Sequence, residues 1–271
     1  MTLKQIKSKH FANGSVYAFE ILIGSPYGMQ EQHLIETTDT FLPYYTKDAI
    51  GRKQNALQST DLGSRKDRWM IGVSVMSGCP VGCKFCATGQ MKGCVSLTSE
   101  EIADQVRTIV NLHKDINPFE CKEFKINYTR MGEPFLNIEA VKSAISILNE
   151  EFPGVHHYIS TIGIKGSDFS WIKDNITLQI SLHSLDETHR NELIPFENKM
   201  SIEDLGKIRT ESRLKTTLNM TLVDWNDFNI EKLQQWFDPK HFFIKLSPIN
   251  ENEYSIANKL GKGVIDQVNL L

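Results

Sequence analysis

From residue 69 onward, short runs rich in β-branched and aromatic residues alternate six times with amphipathic segments of helical periodicity. The predicted strands are Trp69–Met76, Phe124–Arg130, His156–Thr161, Thr177–Leu182, Thr216–Leu222 and Phe242–Leu246. The predicted helices are Thr98–His113, Ile138–Glu151, Asp168–Lys173, Asp186–Leu193, Ile202–Leu214 and Asn229–Phe237. Because strands that alternate with helices pair in parallel under a helical layer, the pattern predicts an α/β fold, a partial (β/α)6 barrel. Loops that follow the strands carry the chemistry in such folds.

The segments on either side of these repeats have a different character. Residues 1–68 are predicted to form a small β-rich extension with a strand at Val16–Ile23, residues 69–250 the barrel, and residues 251–271 a polar tail. The N-terminal lysines precede no apolar stretch, and no run approaches the roughly 18 apolar residues that a membrane span needs. The sequence therefore predicts a folded, soluble protein without a membrane partner, and the cytoplasm as its default location.

The charge balance bears on the partners of the chain. The chain has 30 Lys and Arg residues and 33 Asp and Glu residues, which gives a net charge of −3. This balance disfavours a protein that grips nucleic acid mainly through its phosphates, because such proteins concentrate positive charge. The basic segment Arg52–Arg68 is an exception, for which a solvated surface is the plainer interpretation.

Three of the five cysteines, Cys79, Cys83 and Cys86, form a Cys-x3-Cys-x2-Cys pattern on the loop after the first predicted strand. An odd cysteine count in a chain of this length favours metal ligation over a disulfide framework. Three thiolates can hold three corners of a [4Fe–4S] cluster and leave the fourth iron open. The alternative, a zinc site, needs a fourth Cys or His close by. Cys94 and Cys121 are expected to be small buried residues without a catalytic role.

The pattern Cys79-x3-Cys83-x2-Cys86, with Phe85 before the last cysteine, resembles the signature of radical S-adenosylmethionine (SAM) enzymes. In that superfamily the open iron binds the amino and carboxylate groups of SAM. The reduced cluster then cleaves SAM to methionine and a 5′-deoxyadenosyl radical. The resemblance therefore implies a [4Fe–4S] cluster, SAM, and a low-potential reductant such as flavodoxin or ferredoxin.

Further motifs follow in order over residues 70–250, each at the end of a predicted strand or at the start of a helix. They are Thr88-Gly89-Gln90, Leu97-Thr98-x-x-Glu101-Ile102-x-x-Gln105-Val106, Met131-Gly132-Glu133-Pro134-x-Leu136-Asn137, Ile159-Ser160-Thr161-x-Gly163, Ile180-Ser181-Leu182-His183-Ser184 followed by Arg190 and Ile194-Pro195, and Pro248-Ile249-Asn250. The set is similar to the family of radical-SAM adenine-C2/C8 methyltransferases that modify 23S rRNA and tRNA.

This resemblance implies a set of SAM-binding residues, whereas no residue that reacts with the substrate is identified. Glycine lets the backbone approach a ligand closely, and a neighbouring carboxylate can accept from the SAM ammonium. A serine hydroxyl both donates and accepts. Side chains two apart on a strand share a face, which places Ser181 and His183 together. The implied residues are Phe85 and Asn250 near the adenine, Gly132 and Glu133 at the ammonium, and Ser160, Ser181, Leu182 and His183 on the cofactor.

The sequence departs from the methyltransferases at two cysteines that their reaction needs. One lies seven residues before the first cluster cysteine, where this chain has Gly72, and the other lies near the C-terminus, whereas no cysteine follows Cys121 here. Without these thiols there is no acceptor for the methyl group and no thiolate to break the crosslink to the substrate. The N-terminal RNA-binding domain of the family is also expected to be absent.

Three hypotheses follow. The first is a radical SAM enzyme whose 5′-deoxyadenosyl radical abstracts hydrogen from a small-molecule or nucleotide-like substrate, without cysteine-based methyl synthesis. The second is an RNA (adenine) methyltransferase with a rearranged cysteine, for which the segment Arg52–Arg68 is the best support. The third is a non-catalytic protein that binds the cluster or SAM.

Overall fold

The structure is a computed structural model, and it describes residues 3–24, 30–44, 62–223 and 228–261. Most of the basic segment Arg52–Arg68 and the last ten residues of the tail lie outside the described residues. Within them, no helix has both the length and the apolar character needed to cross a membrane.

The described residues form strands, helices and three short 3-10 turns. The strands are β1 (Lys4–Phe11), β2 (Gly14–Gly24), β3 (Gln30–Leu42), β4 (Arg68–Val73), β5 (Met76–Ser77), β6 (Val95–Ser96), β7 (Glu123–Tyr128), β8 (His156–Thr161), β9 (Ile176–Ser181), β10 (Thr216–Leu222) and β11 (Phe242–Pro248). The helices are α1 (Ser99–Leu112), α2 (Ile138–Glu151), α3 (Glu187–Leu193), α4 (Ile202–Gly206), α5 (Ile230–Trp236) and α6 (Glu253–Ala257). The 3-10 turns are Thr88–Gln90, Pro118–Glu120 and Pro134–Leu136.

The chain divides into two compact units. The first unit comprises residues 1–77, 97–131 and 138–157, and the second comprises residues 78–96, 132–137 and 158–271.

In the first unit the strand order is β1-β2-β3-β4-β7. The first four strands pair antiparallel, and β4 pairs with β7 in parallel. Asp39 on β3 is fully buried and accepts hydrogen bonds from the Arg65 guanidinium (2.5 Å), the Trp69 indole (2.7 Å) and the His113 ring (2.8 Å). A buried carboxylate is tolerated only with such partners, so Asp39 ties β3 to β4 and to the end of α1.

Helix α1 begins at a capping box, in which Thr98 accepts from the Glu101 amide while the Glu101 carboxylate accepts from the Thr98 amide. This reciprocal pair satisfies two amides that would otherwise lack partners. One turn later, Gln105 is buried, and its side chain bonds the amide and the carbonyl of Ser74 at 2.8 Å each. The helix thereby holds the end of β4.

In the second unit the strand order is β8-β9-β10-β11, although the first two residues of β8 group with the first unit. Strands β9, β10 and β11 pair in parallel. Apolar side chains of β9 and β10, among them Ile180, Leu218 and Met220, are buried. The carboxyl ends of these parallel strands share one edge of the sheet, which is where the predicted site residues lie.

The predicted α/β class is confirmed, and so is a β-rich N-terminal region. That region is more regular than expected, because β1 and β3 flank the one predicted strand. The predicted helix Asp168–Lys173 is wrong: the Asp168 carboxylate accepts from the Ser170 amide, and the Trp171 indole donates to the Asp168 carbonyl. These local bonds replace helical ones. The predicted helix Ile202–Leu214 ends early, at Gly206, whose missing side chain would meet the Trp236 carbonyl at 2.2 Å.

Candidate active site

The three cysteines of the motif lie on a loop at the start of the second unit. Gly78 opens this loop at φ +85°, a conformation that favours glycine, and a side chain there would meet the Gly93 carbonyl at 2.3 Å. The Cys86 amide donates to the Cys83 carbonyl (3.0 Å), and the Lys84 amide donates to the Leu193 carbonyl at the end of α3 (3.0 Å). The loop is thus folded by its own turns and anchored to a helix end.

The thiols of this loop are partly buried and influence one another. Burial raises the pKa of Cys79 to about 12 and raises that of Cys83 further, and the negative charges of the neighbouring thiolates and of Glu133 add to both shifts. Cys94 also lies close enough to add to the shift of Cys79. A positively charged metal centre would stabilise these thiolates, because a coordinating thiol is deprotonated by its metal.

In the part of the chain that the structure describes, no three His, Cys, Asp or Glu side chains converge closely enough to hold one metal ion. A cubane cluster does not require such convergence, because each cysteine binds a different iron. The three partly buried thiols, with three and two residues between them on one loop, therefore fit a [4Fe–4S] cluster.

Glu133 lies in the turn after β7 and is 3% exposed. Its Oε1 accepts from the Phe135 amide (3.1 Å), its Oε2 accepts from the Ile162 amide (2.9 Å), and Thr161 adds a side-chain hydrogen bond. Burial nevertheless raises the pKa of Glu133 to about 7, since none of the described residues forms an ion pair with it. The site therefore offers an oriented carboxylate whose ionised form a cationic ligand would stabilise. Gly132 before it has φ +96°.

Two serines lie side by side at the ends of neighbouring strands. Ser160 on β8 and Ser181 at the end of β9 bring their hydroxyls to 3.4 Å from each other. Both are half-buried. Each hydroxyl can donate and accept, so the pair suits a polar ligand such as a ribose or a carboxylate.

The structure changes the argument that placed Ser181 and His183 on one strand face. Strand β9 ends at Ser181, and His183 has φ +60°, so strand alternation no longer relates the two side chains. Leu182 is fully buried between them. A non-glycine residue at positive φ is strained, and such strain often marks a functional position.

The His183 ring is held in one tautomer. Its Nδ1 accepts from the Thr221 amide at 3.2 Å, which leaves the ring proton on Nε2. Burial, with a smaller effect of the Arg190 charge, lowers the pKa of His183 to about 3. The ring is therefore neutral at physiological pH. Phe85 from the cysteine loop packs against it edge to face, with ring centroids 5.0 Å apart.

Asn250 follows β11 and is exposed, and its carbonyl accepts from the Asn252 side chain at 3.3 Å. The second unit thus brings together the cysteine loop, Phe85 and His183, and it also contains Glu133, the two serines and Asn250. Outside this group, His157 is buried between Tyr128 and Asn149, and Cys121 is a half-buried residue of the first unit.

Sequence reasoning missed two residues that support these loops. Arg190 is fully buried and donates to the carbonyls of Ile162 (2.7 Å), Met200 (2.8 Å) and Leu182 (3.2 Å). Burial lowers its pKa to about 10, so it stays protonated. Asn252 donates to the Phe85 carbonyl at 2.9 Å. Arg190 belonged to a recognised motif, but its supporting role was not predicted because a charged residue in a short helix is usually exposed to solvent. For Asn252 there was no signal, because nothing in the sequence pairs it with Phe85.

Gly72, seven residues before Cys79, lies on β4 opposite Thr38 of β3. A side chain at residue 72 would place its Cβ 2.3 Å from the Thr38 hydroxyl and 3.2 Å from the Arg130 side chain. Neighbouring side chains therefore fill the space that a thiol at this position requires.

Comparison with known families gives one match over more than half of the chain. Residues 73–237 match the profile of the family described as "Radical SAM superfamily". A protein named "Probable dual-specificity RNA methyltransferase RlmN" from Desulfitobacterium hafniense is 36% identical over 177 residues, which cover 62% of this chain and 49% of that protein. The "Dual-specificity RNA methyltransferase RlmN" of Helicobacter hepaticus is 31% identical over 218 residues, with 75% and 55% covered. The chain spans about half the length of the curated relatives it matches.

A solved structure gives the fold independently. The crystal structure of a radical SAM methyltransferase from Sphaerobacter thermophilus superposes with a TM-score of 0.69 and covers 98% of this chain and 72% of the other, at 23% identity. At that identity the likeness concerns the fold, and it confirms the radical SAM type of α/β architecture. The names of the relatives do not support the expected preference for a small-molecule substrate.

The cofactors expected from the sequence, a [4Fe–4S] cluster and SAM, are those of the superfamily. On the profile match, and with RlmN-type proteins among its relatives, the chain belongs to the radical SAM superfamily.

Proposed function

We propose that this protein is a radical SAM enzyme that starts a reaction on a nucleotide-like substrate by abstracting a hydrogen atom. Cys79, Cys83 and Cys86 hold the [4Fe–4S] cluster, which when bound supplies the reductive cleavage of SAM to methionine and a 5′-deoxyadenosyl radical. The single observation that carries the proposal is a buried carboxylate, Glu133, that has no cationic partner among the described residues and interacts electrostatically with two of these thiols.

Glu133 binds the ammonium group of SAM. Two backbone amides and the Thr161 hydroxyl orient its oxygens, and one oxygen keeps a lone pair for a further donor. A cation beside this carboxylate favours its ionised form and so offsets the effect of burial. Gly132, at positive φ, lets the backbone approach the same ligand.

The remaining proposed residues bind the parts of SAM other than its ammonium group. Ser160 and Ser181 present their adjacent hydroxyls, and Leu182 supports them from the core. His183 donates from Nε2, because its Nδ1 is engaged by a backbone amide. Phe85 and Asn250 lie at the adenine, where Phe85 packs and the Asn250 amide can both donate and accept.

The crowding around Gly72 favours hydrogen abstraction without thiol-based methyl synthesis, since this position cannot take a cysteine unless Thr38 moves. A nucleotide-like substrate is preferred because the relatives are named RNA methyltransferases. We also propose residues 69–250 as the SAM-cleaving core, with residues 1–68 as an extension and residues 251–271 as a tail.

A second candidate, an RNA (adenine) methyltransferase that uses a cysteine elsewhere, is favoured by the names of the same relatives. Cys94 is the nearest available thiol, since it lies close enough to Cys79 to affect its pKa. Incubation with methyl-labelled SAM and total RNA distinguishes the two, because label in adenine requires methyl transfer.

The test of the first function is anaerobic reconstitution with iron and sulfide, then addition of a low-potential reductant and SAM. We expect about four irons per chain and the formation of 5′-deoxyadenosine, detected by mass spectrometry. Cys83→Ala should lose iron and product, whereas the matched change Cys121→Ala, in the first unit, should keep both. A protein that holds the cluster and SAM but forms no 5′-deoxyadenosine would be a binding protein, and the proposal would be wrong.

A further inference from the structure

The side chain of Asn252 uses all of its hydrogen-bonding capacity. Its Oδ1 accepts from the amides of Tyr254 (2.9 Å) and Ser255 (3.0 Å), which makes it the N-cap of α6. Its Nδ2 donates to the carbonyls of Phe85 (2.9 Å) and Asn250 (3.3 Å). An amide has two donors and two acceptor sites, so each half of this side chain performs a separate task.

The donor half joins two segments that are 165 residues apart in sequence, Phe85 between the second and third motif cysteines and Asn250 after β11. Both are residues that we place at the adenine of SAM. The loop is also held from outside: the Asn258 side chain donates to the Lys84 carbonyl at 3.0 Å, and the Lys84 amide donates to the Leu193 carbonyl. Asn252 is the member of this set that contacts both adenine-side residues.

We propose that Asn252 is a positioning residue for SAM, whose two N–H groups set the spacing between Phe85 and Asn250. The inference rests on the proposed function, because it takes the adenine to lie between these two residues. Holding both backbones before SAM arrives removes part of the ordering cost of binding. Loss of the two N–H groups should therefore weaken SAM binding while the cluster and the fold remain.

Two substitutions separate the two tasks of Asn252: the clamp, formed by the N–H groups that bond Phe85 and Asn250, and the cap, formed by the oxygen that bonds the first amides of α6. Asn252→Asp keeps the acceptor oxygen that caps α6 and replaces the two donors by a second oxygen, and Asn252→Ser gives an uncharged cap whose shorter side chain does not reach the Phe85 carbonyl. Aspartate, asparagine and serine cap helices about equally well. The matched control is Asn229→Asp at the N-cap of α5, where Oδ1 accepts from the Lys232 amide at 2.9 Å.

The experiment uses reconstituted holoenzyme and measures iron content, the melting temperature, the Kd of SAM, and the SAM-induced change in the electron paramagnetic resonance spectrum of the reduced cluster. Both Asn252 variants should keep their iron and their melting temperature and bind SAM about tenfold more weakly, a change that corresponds to about 1.4 kcal/mol. The spectral change should appear at correspondingly higher SAM concentrations. The Asn229→Asp variant should match the wild type in every measurement.

Three results would overturn the inference. SAM affinity within about twofold of the wild type in both Asn252 variants shows that the clamp does not act on SAM. Loss of iron in both variants shows that Asn252 holds the cluster loop instead. A wild-type holoenzyme that binds no SAM overturns the proposed function itself, so that this failure is distinguishable from the first two.

Discussion

The Glu133 carboxylate accepts a hydrogen bond from the Ile162 amide at 2.9 Å, and this bond joins the turn after β7 to the loop after β8. Next to Ile162, Thr161 adds its hydroxyl to the same carboxylate. The carboxylate is thus rigidly placed before any ligand arrives, although burial opposes its charge.

Replacing Glu133 by Gln should weaken SAM binding about 10- to 100-fold, because a charge-assisted hydrogen bond to the ammonium is lost while the shape is kept. The amide has a single oxygen and so keeps only one of the two backbone hydrogen bonds of Glu133, but it also avoids burying a charge, and the melting temperature should change by only a few degrees. Titration of SAM into reconstituted protein measures the effect, and Glu139→Gln on the exposed surface of α2 serves as the control. Unchanged affinity in the Glu133→Gln variant would remove Glu133 from the site.

Replacing Arg190 by Lys should destabilise the protein by about 2–4 kcal/mol, since one ammonium group cannot reach the carbonyls of Ile162, Leu182 and Met200 together. The free energy of unfolding, measured with urea, should fall by that amount. The same substitution at Arg213, whose side chain is 88% exposed, should change it by less than about 0.5 kcal/mol. Equal stability of the two variants would contradict the bracing role of Arg190.

A cysteine at position 72 should destabilise the protein by about 1–3 kcal/mol, because its Cβ would clash with the Thr38 hydroxyl. Adding Thr38→Ala should restore most of that loss, so the two effects should be non-additive. Thr40→Ala, two residues along β3, is the control and should give no rescue. Additive losses in the Gly72→Cys and Thr38→Ala pair would show that the crowding is not the cause.

Stability should fall as the pH falls below about 6.5, because two histidines are buried in the neutral state. Burial lowers the pKa of His157 and of His183 to about 3, below the value of an unfolded histidine. Their contribution is therefore fully present above pH 6.5 and is lost toward pH 3, by about 1.4 kcal/mol per pH unit for each ring. His157→Gln should reduce the slope of unfolding free energy between pH 6.5 and 4 by that amount, and an unchanged slope would contradict the assignment.

The repeated strands were predictable because their apolar runs are buried, and β8 has the bounds that the sequence predicts. Strand β3 was missed because polar side chains, Thr37 and Asp39, occupy two of its buried positions. Their partners, Gln105 and Trp69, lie far along the chain, and hydropathy does not reveal such pairs. Strand β1 was missed because seven of its eight residues are exposed, so it shows no apolar pattern although it pairs with β2.

For the candidate site, the motifs predicted which residues cluster at the strand ends but not what holds them there. The positive φ of His183 and the buried charge of Arg190 arise from tertiary contacts. The link from Asn252 to Phe85 joins segments that no local pattern relates. Spacing rules predict ligands, whereas the residues that support them become visible only in the folded chain.

The close fit of Gly72 against Thr38 has a consequence for how this lineage can change. A cysteine at residue 72 requires the Thr38 side chain to turn away or to be replaced, so a substitution at one of these positions changes the cost of a substitution at the other. A chain that acquired the cysteine first would carry an intermediate of reduced stability, which selection removes when the stability margin is small. A cysteine at residue 72 is therefore less costly in a chain whose position 38 has already changed.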